Sequence, residues 1–378
     1  MPSRVYLDHN AGSPLRAEAR EAIVAALEVG GNPSSVHAPG RAARALVEEA
    51  RSRIAELAGV AAEWIVFTSG ATEANNLAIK GAPAFRHLVA SVEHVSVLDS
   101  APDAERVPVD GRGIVDVDAL VRLLAADSKP AMVSVMAANN ETGVVQPIAD
   151  IATIVHDAGA LLHCDAAQAA GRLPLAPIAA AADLVSLSSP KIGGPLGVGA
   201  LIVRAGIDLA PLVTGGGQER RLRAGTENLS GIVGFGAAAQ AAAGDLAAAS
   251  RVAAVRDRLE AEARSLAPEA VVIGAGAPRL CNTSALALPG IPAESQIVAL
   301  DLAGISVGAG AACSSGKIAR SHVLAAMNVP ESVAESAIRV SLAPTTTEAD
   351  IDAFLAAWSD LRARARAHRM VRSRAEVA

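Results

Sequence analysis

One lysine and one aspartate stand out because each follows a short apolar run. Lys191 comes after the run Asp183–Ser189 and lies among glycine and proline, whereas Asp165 ends a run that begins at Leu161. Such runs are typical of β-strands, and the ends of parallel strands form clefts. An amine and a carboxylate brought together there are what pyridoxal phosphate requires, as its Schiff-base lysine and as the acid facing its pyridinium nitrogen. A loop lysine alone is usually just solvated, so this prediction depends on the pair.

The segment Ser69–Glu73 opens a predicted helix directly after the apolar run that ends at Thr68. Small residues at a helix N-terminus leave backbone N–H groups free for an anion such as phosphate, and Thr72 adds a hydroxyl. The same residues also make an ordinary helix cap that needs no ligand. The lysine and aspartate on neighbouring strands favour a phosphate site.

His94 follows another predicted strand end, in a chain with one tyrosine, two tryptophans and four phenylalanines. A lone histidine is more often an ordinary surface or core group than a catalyst. Because few rings are available here, we interpret His94 as the ring that stacks on a planar cofactor and exchanges protons near neutral pH. Asn139 and Asn140 supply amides after the next strand, although they also suit a plain turn.

Cys313 lies in the small-residue stretch Gly308–Lys317, whereas Cys164 and Cys281 have bulkier neighbours. A thiol in an exposed loop can react if a nearby cation lowers its pKa, and buried thiols are usually structural. Arg339 lies in a strand-like run, and its side-chain fork suits a substrate carboxylate. An ordinary structural ion pair is the alternative for Arg339.

The overall composition narrows the class of protein. The chain has 378 residues, 51% hydrophobic and 19% charged, with a net charge of -6. These values are typical of a compact enzyme and give no indication of nucleic-acid binding. The cysteine spacing indicates neither a disulfide framework nor a zinc site. The arginines at the C-terminal end are interpreted as the solvated end of a last helix and a frayed tail, with docking of an acidic partner as the alternative: Arg362, Arg364, Arg366, Arg369, Arg372 and Arg374.

No membrane or secretion signal is expected. The first residues lack a basic-then-apolar signal pattern. The stretch Gly231–Ala249 is mostly alanine and glycine, interrupted by Gln240 and Asp245, and predicts a buried helix instead of a membrane span. We therefore expect a cytoplasmic protein that makes no membrane contact.

Strands and helices alternate along most of the chain, which predicts an α/β fold with a largely parallel sheet covered by helices on both faces. We expect a large cofactor-binding domain over residues 15–245. A smaller α+β domain over residues 246–378, closed by the helix Glu348–Ala367, is expected to include the N-terminal arm 1–14. Other predicted elements are the strands Ile65–Thr68, His87–Ser91, Ala131–Val135, Ala160–His163, Asp183–Ser186, Gly199–Val203, Cys281–Leu288 and Ile305–Gly308 and the helices Thr72–Lys80, Val117–Ala126 and Ile148–Ala158.

Taken in order, these segments resemble the cysteine desulfurases of the NifS/IscS type, pyridoxal-phosphate enzymes of the class V aminotransferase group. The resemblance covers nearly the whole chain and implies a fold-type I pyridoxal-phosphate enzyme. The matching segments are Tyr6–Asn10, Gly31–His37, Phe67–Asn76, Glu93–His94, Asn139–Gly143, Asp165–Gln168, Lys191, Gly215–Arg220, Arg223–Asn228, Cys313 and Arg339–Leu342.

The resemblance implies a role for each site residue. Lys191 forms the Schiff base and Asp165 pairs with the pyridine nitrogen. Gln168 bonds the ring hydroxyl and His94 stacks on the ring. Asn140 contacts cofactor or substrate, and Arg339 holds the cysteine carboxylate. Phosphate is bound by Ala71, Thr72, Ser188 and, from the second subunit of a homodimer, Thr226.

The implied reaction converts L-cysteine to L-alanine and leaves a persulfide on Cys313. That sulfur passes to an acceptor or scaffold protein, for iron–sulfur cluster assembly or a related sulfur transfer. The resemblance gives no metal a catalytic role, and it leaves Cys313 open as a transient iron–sulfur ligand. The open alternatives are a selenocysteine lyase, another class V lyase, or a degenerate partner protein.

Two parts of the chain depart from the family pattern. Pro190 replaces the histidine that usually precedes the Schiff-base lysine and helps to bind phosphate, and proline offers no N–H. Ala11–Ser13 replaces the usual Ala-Thr-Thr and removes one hydroxyl. Because neither change touches Lys191, Asp165 or Cys313, we expect activity to survive. The consequence of Pro190 for cofactor affinity stays open.

Overall fold

The computed structural model describes residues 4–84, 86–310 and 320–375, excluding the side chains of 368–375. Cys313 therefore lies outside the described residues. The strands of this part of the chain are β1 (Val5–Tyr6), β2 (Ile65–Thr68), β3 (Arg86–Ala90), β4 (Glu105–Val107), β5 (Ala131–Ser134), β6 (Leu161–Asp165), β7 (Leu184–Ser188), β8 (Gly199–Val203), β9 (Val271–Ile273), β10 (Thr283–Ala287), β11 (Ile305–Ser306), β12 (Gly308–Ala309) and β13 (Ala337–Ser341).

Several helices begin or end at residues that cap them. Asp116 accepts a hydrogen bond from the Ala119 N–H at the start of α5, and Gly59 adopts φ 65° after the end of α2. The helices are α1 (Ala17–Leu27), α2 (Ala38–Ala58), α3 (Ala71–Gly81), α4 (Val95–Leu98), α5 (Val117–Ala125), α6 (Ile148–Asp157), α7 (Leu175–Ala181), α8 (Leu229–Asp245), α9 (Ala249–Leu266), α10 (Ala293–Leu302), α11 (His322–Ala326), α12 (Glu331–Ala334) and α13 (Glu348–Ala375).

A seven-stranded sheet with the order β2-β8-β7-β6-β5-β3-β4 forms the centre of the molecule. β8 runs antiparallel to both of its neighbours, and the other pairings are parallel. Alternate residues of β2 face opposite ways: Ile65 and Phe67 join a core with α2, α5, α6, α7 and α8, whereas Val66 joins one with α3. The predicted α/β fold with a mainly parallel sheet between helices is confirmed.

The chain after α8 forms a second, antiparallel sheet with the order β12-β13-β10-β9. Its apolar residues pack with α9, α10 and α13, around the fully buried Trp358. The N-terminal arm joins this core through Leu7, and β1 pairs with β11. The boundary expected near residue 245 stays a prediction, because only a short 3-10 turn separates α8 from α9.

The segment Leu229–Leu266, which holds α8 and α9, is the one described helix pair long and apolar enough to cross a membrane by length and composition. Close packing accounts for its small residues. A Cβ atom at Gly236 would lie 2.6 Å from the Cα of Ala50 on α2, so only glycine allows this approach. Phe235 beside it is buried in the core.

The last helix corrects the sequence prediction. It was expected to end at Ala367, but α13 continues to Ala375. The Arg- and Ala-rich sequence contains neither glycine nor proline there, so nothing in it stops a helix. Arg362 is also less solvated than expected, because its guanidinium donates to both carboxylate oxygens of Glu269. β4, a short edge strand over Glu105–Val107, was not predicted from the sequence.

Candidate active site

A cleft of about 680 Å³ opens at the carboxyl ends of the parallel strands. Residues from the loops after β2, β3, β5, β6 and β7 line it, together with the N-terminal arm and β13. Parallel sheets of this kind bind ligands at this edge. The cleft brings together nine of the predicted site residues: Ala71, Thr72, His94, Asn140, Asp165, Gln168, Ser188, Lys191 and Arg339.

Lys191 enters the cleft from a 3-10 turn over Ser189–Ile192, directly after β7. Its Nζ donates to the carbonyl of Ala11 at 2.7 Å. Burial, together with the positive charges of Arg339 and Arg172, lowers the pKa of Lys191 to about 8. An amine with this pKa is partly unprotonated near neutral pH, as a nucleophile or a base must be.

Asp165 ends β6 and is held by two N–H donors. Its Oδ1 accepts from the Ala167 N–H at 2.9 Å, and its Oδ2 accepts from Asn75 Nδ2 at 2.8 Å. Only 6% of the residue is exposed. Two donors fix the carboxylate plane, so its free lone pairs have one orientation in the cleft.

The turn between β2 and α3 is built to receive an anion. Gly70 has φ 158° and ψ 176°, a backbone conformation that is essentially restricted to glycine. A Cβ atom there would meet nothing within 4 Å among the described residues. No described side chain caps α3, although Glu73 accepts from the Ser69 N–H at 2.8 Å. The N–H groups that open α3 are therefore available at the cleft, beside the Thr72 hydroxyl.

His94 lies at the start of α4 and is partly buried. Its Nδ1 accepts from the Ser96 N–H at 3.1 Å and lies 2.8 Å from Ser96 Oγ. Burial lowers the pKa of His94, and the positive charge of Lys191 acts in the same direction, against the opposing charge of Asp165. The ring is therefore neutral near pH 7 and can stack against a flat ligand while offering one N–H.

Arg172 fastens several parts of the site by hydrogen bonds to oxygen atoms. It donates to the Gln168 side chain, to the carbonyl of His9 at 3.2 Å and to that of Lys191 at 3.3 Å. Gln168 in turn donates to the carbonyl of Asn10 at 3.0 Å. Burial lowers the pKa of Arg172 to about 10, so it is a cation at neutral pH. It joins the arm, the lysine turn and the segment after β6.

Arg339 approaches the cleft from β13. Its Nη2 donates to Asp8 Oδ1 at 2.8 Å and its Nη1 donates to the Asn140 carbonyl at 3.1 Å. Its Nε is buried and has no partner among the described residues. The guanidinium therefore retains donor capacity for an anionic ligand while Asp8 and Asn140 hold its position.

Glu141 and His322 line the cleft together with residues 310 and 320, and Ser321 contacts Glu141 beside it. Ser321 donates to Glu141 Oε2 at 2.6 Å, and His322 Nε2 donates to the carbonyl of Glu93 at 2.8 Å. Burial raises the pKa of Glu141, even though the Ser321 hydroxyl lowers it. Cys313, predicted as the nucleophile, belongs to the segment between these residues and lies outside the described part of the chain.

Thr226 is exposed and does not line the cleft, so this chain alone does not bring it to the other predicted phosphate ligands.

The two segments that depart from the family pattern, Ala11–Ser13 and Pro190, contact each other. The Ser13 N–H donates to the Pro190 carbonyl at 2.8 Å, and Ser13 Oγ lies 3.4 Å from the Lys191 carbonyl. Pro190 thus contributes a backbone acceptor that holds the arm against the lysine turn.

Several residues of the site were not singled out in the sequence. Asn75, Arg172 and Asp8 each contact a predicted site residue. Two of them carry a signal in the sequence. Asp8 and Asn75 lie within the matching segments Tyr6–Asn10 and Phe67–Asn76, and Asn75 is also a polar residue on the otherwise apolar face of the predicted helix Thr72–Lys80. Glu93 is completely buried beside Asp165, and burial raises its pKa well above the ordinary value. Cys164 is buried and Cys281 is partly buried.

Comparison with known proteins gives matches over almost the whole chain. The family model for aminotransferase class-V matches residues 5–354. A cysteine desulfurase of Cereibacter sphaeroides is 46% identical over 93% of this chain and 94% of that protein. A NifS-like protein from Rickettsia africae has a similar structure, with a TM-score of 0.88 and 34% identity over 95% of this chain and 99% of its own. The structure of SspA in complex with cysteine has a TM-score of 0.76 and 28% identity, over 90% and 99% of the two chains.

Proposed function

The chain belongs to the class-V aminotransferase family, and we propose that it is a pyridoxal-phosphate-dependent cysteine desulfurase that converts L-cysteine to L-alanine. The observation that supports this most directly is the pair of Lys191 and Asp165 in one cleft, beside a helix N-terminus opened by Gly70. The relative from Cereibacter sphaeroides carries the same activity in its name.

The residues present fit pyridoxal phosphate. Gly70 leaves open space where any side chain would project, and α3 presents uncapped N–H groups in the described part of the chain. These groups, with Thr72 and Ser188, would hold a phosphate. Asp165 would face the pyridine nitrogen, His94 would stack on the ring and Gln168 would bond its hydroxyl. When bound, the cofactor supplies an electron sink next to the substrate α-carbon.

The residues of the chain carry the proton chemistry and orient the substrate. Arg339 binds the cysteine carboxylate with donors that Asp8 and Asn140 leave free. Lys191 has a pKa of about 8, so a useful fraction of its amine is ready to take the substrate α-proton near neutral pH. Asn140 lines the cleft beside Arg339 and is proposed to contact cofactor or substrate.

The sulfur step is proposed for Cys313. The Cys313 thiolate attacks the substrate sulfur, an S–S bond forms, and the substrate C–S bond breaks. The electron pair of that bond stays with the substrate carbon, which takes up a proton and leaves as alanine. L-cysteine and one enzyme thiol thus become L-alanine and one enzyme persulfide, with no outside oxidant needed. A reductant or an acceptor protein then removes the sulfur.

The wider setting is proposed from the sequence resemblance. It includes a homodimer in which Thr226 reaches the phosphate of the other subunit. It also includes a cytoplasmic location and a protein that accepts sulfur for cluster assembly or a related transfer. Exposure of Thr226 leaves it free for such a contact.

The test is anaerobic incubation of the cofactor-loaded protein with L-cysteine and a dithiol reductant, with alanine and sulfide quantified. We expect equal catalytic amounts of both, lost in Cys313→Ala and in Lys191→Ala. Cys281→Ala is the matched control, because Cys281 does not line the cleft and should keep wild-type turnover. A loaded protein that makes no alanine would reject cysteine as the substrate. Turnover of selenocysteine by Cys313→Ala would instead favour a selenocysteine lyase.

A further inference from the structure

Asn75 forms hydrogen bonds with two residues of the cleft, Ser96 and Asp165, that lie far apart in the chain. It lies on α3 with no exposed surface. Its Nδ2 donates to Asp165 Oδ2, after β6, at 2.8 Å and to Ser96 Oγ, on α4, at 2.9 Å. One amide group therefore uses both of its N–H donors on two different elements of the site.

The orientation of this amide follows from its neighbours. A reversed amide would place its oxygen against the Asp165 carboxylate, and two acceptors without a proton between them repel. In the orientation found, Oδ1 is buried without a partner among the described residues. An unpaired buried carbonyl costs about 1–3 kcal/mol. The site retains this cost because only the amide nitrogen can serve both acceptors.

The same contact supports one position for the proton of His94, which the Ser96 N–H also favours. Ser96 Oγ accepts from Asn75, so the hydroxyl proton of Ser96 is directed to another acceptor. That acceptor is His94 Nδ1, 2.8 Å away, which also accepts from the Ser96 N–H. Because Nδ1 accepts both bonds, the single proton of the neutral ring lies on Nε2.

We propose that Asn75 is a positioning residue that orients the Asp165 carboxylate and directs the Ser96 hydroxyl to His94 Nδ1. The proposal deepens the proposed function, on which it rests, because these two residues are assigned to the cofactor ring. When Asn75 is replaced, Asp165 still accepts from the Ala167 N–H. The replacement should therefore make the orientation of the carboxylate less fixed but should not remove all of its hydrogen bonds.

The alternative is a purely structural role, in which Asn75 only satisfies buried polar atoms. The matched control is Asn76, the next residue of α3, which instead donates to the Thr72 carbonyl at 2.9 Å and accepts from Lys80 at 2.7 Å. A structural role predicts lower thermal stability in an Asn75 variant and no change in ring chemistry.

The experiment compares wild type, Asn75→Leu, Asn75→Ser and Asn76→Ser by two measurements. The first is the dissociation constant for pyridoxal phosphate, from the visible absorbance of the protein-bound form. We expect Asn75→Leu to weaken binding about 10- to 100-fold, the value of one hydrogen bond to a charged group. Asn75→Ser keeps one donor and should fall between wild type and Asn75→Leu. Asn76→Ser should match wild type.

The second measurement is the ¹⁵N spectrum of labelled histidine in each protein, with the His94 signals assigned by their loss in His94→Gln. Wild type should show a single Nε2-protonated form. Asn75→Leu and Asn75→Ser should keep this form, because the Ser96 N–H still donates to Nδ1, but their Nδ1 signal should shift because the Ser96 hydroxyl can turn away from it. Wild-type spectra and affinities in Asn75→Ser would overturn the proposal, even if Asn75→Leu fails to fold. The histidine measurement needs no cofactor, so a wild-type protein that binds none would reject the proposed function and leave this test standing.

Discussion

The two sides of the cleft are built in different ways. The sheet side consists of Thr72, Asp165, Ser188 and Lys191, which lie at the ends of the strands β2, β6 and β7 or within a few residues of them. The arm side consists of Asn10, Asn140 and Arg339, which line the cleft, and of Asp8 and Thr283, which contact Arg339 and Asn10. It is joined by contacts between residues far apart in the chain, such as the Asp8–Arg339 ion pair with a sequence separation of 331.

This difference shows how the fold could position the proposed cofactor and the proposed substrate with different parts of the chain. Parallel strands deliver their ends to one edge of a sheet, so the sheet side is aligned as soon as the sheet forms. The arm side needs the N-terminal segment to meet β13, β10 and the loop after β5. Asp8 accepts from Arg339 on β13, and Asn10 donates to Thr283 at 2.9 Å and to the Asn140 carbonyl at 3.1 Å. We therefore expect the sheet side to control catalytic rate and the arm side to control substrate binding.

The largest effect is expected from Asp165→Asn on the sheet side. The neutral amide removes the charge that would keep the cofactor ring protonated, so kcat should fall about 10²- to 10³-fold while KM changes little. Steady-state alanine production at several cysteine concentrations measures both constants. Asp118→Asn, a change of an exposed residue on α5, serves as the control. An Asp165→Asn protein whose defect is confined to KM would break the proposed division.

A smaller effect in the other constant is expected from Arg339→Lys on the arm side. Lysine keeps the charge but not the planar fork, so KM for cysteine should rise about 10- to 100-fold with kcat nearly unchanged. The same kinetic assay applies, with the surface change Arg258→Lys for comparison. The division of roles is wrong if Arg339→Lys lowers kcat and leaves KM as it was.

The smallest effect concerns the electrostatic link between the two sides. The pKa of Lys191 lies at about 8, below its ordinary value of 10.5, because of burial and the positive charge of Arg339. The amine therefore loses its proton as pH rises through about 8, and the cofactor-free protein should react faster with pyridoxal phosphate over that range. In Arg339→Gln the midpoint should move to higher pH, because one nearby positive charge is gone.

Stopped-flow absorbance across neutral and alkaline pH gives this midpoint. Arg362→Gln removes a distant charge that pairs with Glu269, and its midpoint should equal that of wild type. If Arg339→Gln and Arg362→Gln titrate alike, the arm side does not influence the lysine through space.

Most of the sheet side was predictable from the sequence. β2 and β8 have the predicted bounds, and the candidate residues after β2, β3, β6 and β7 all line one cleft. The reason is local: an apolar run that ends in small or polar residues places the next side chain at a strand end. The unpredicted β4 has only three residues, too few to show a clear pattern.

The contacts that orient these residues were harder to predict from the sequence. Asn75 could have been noticed as a polar residue on an apolar helix face, but the residues next to it in the sequence do not indicate that Asp165 is its partner. Arg172 contacts His9, Gln168 and Lys191, which belong to three separate segments. A sequence shows that a buried polar group needs partners and does not show which segments will supply them.

The sequence by itself determined the chemistry available to this protein: an amine, a carboxylate and an anion-binding helix start, each at the end of an apolar strand. Only the tertiary structure decided how they act. It buried Lys191 near Arg339 so that the pKa of the amine falls to about 8. It also directed the Asn75 amide to Asp165 and Ser96 together. Strand ends follow from local periodicity, whereas burial and pairing depend on segments that meet only when the whole chain has folded.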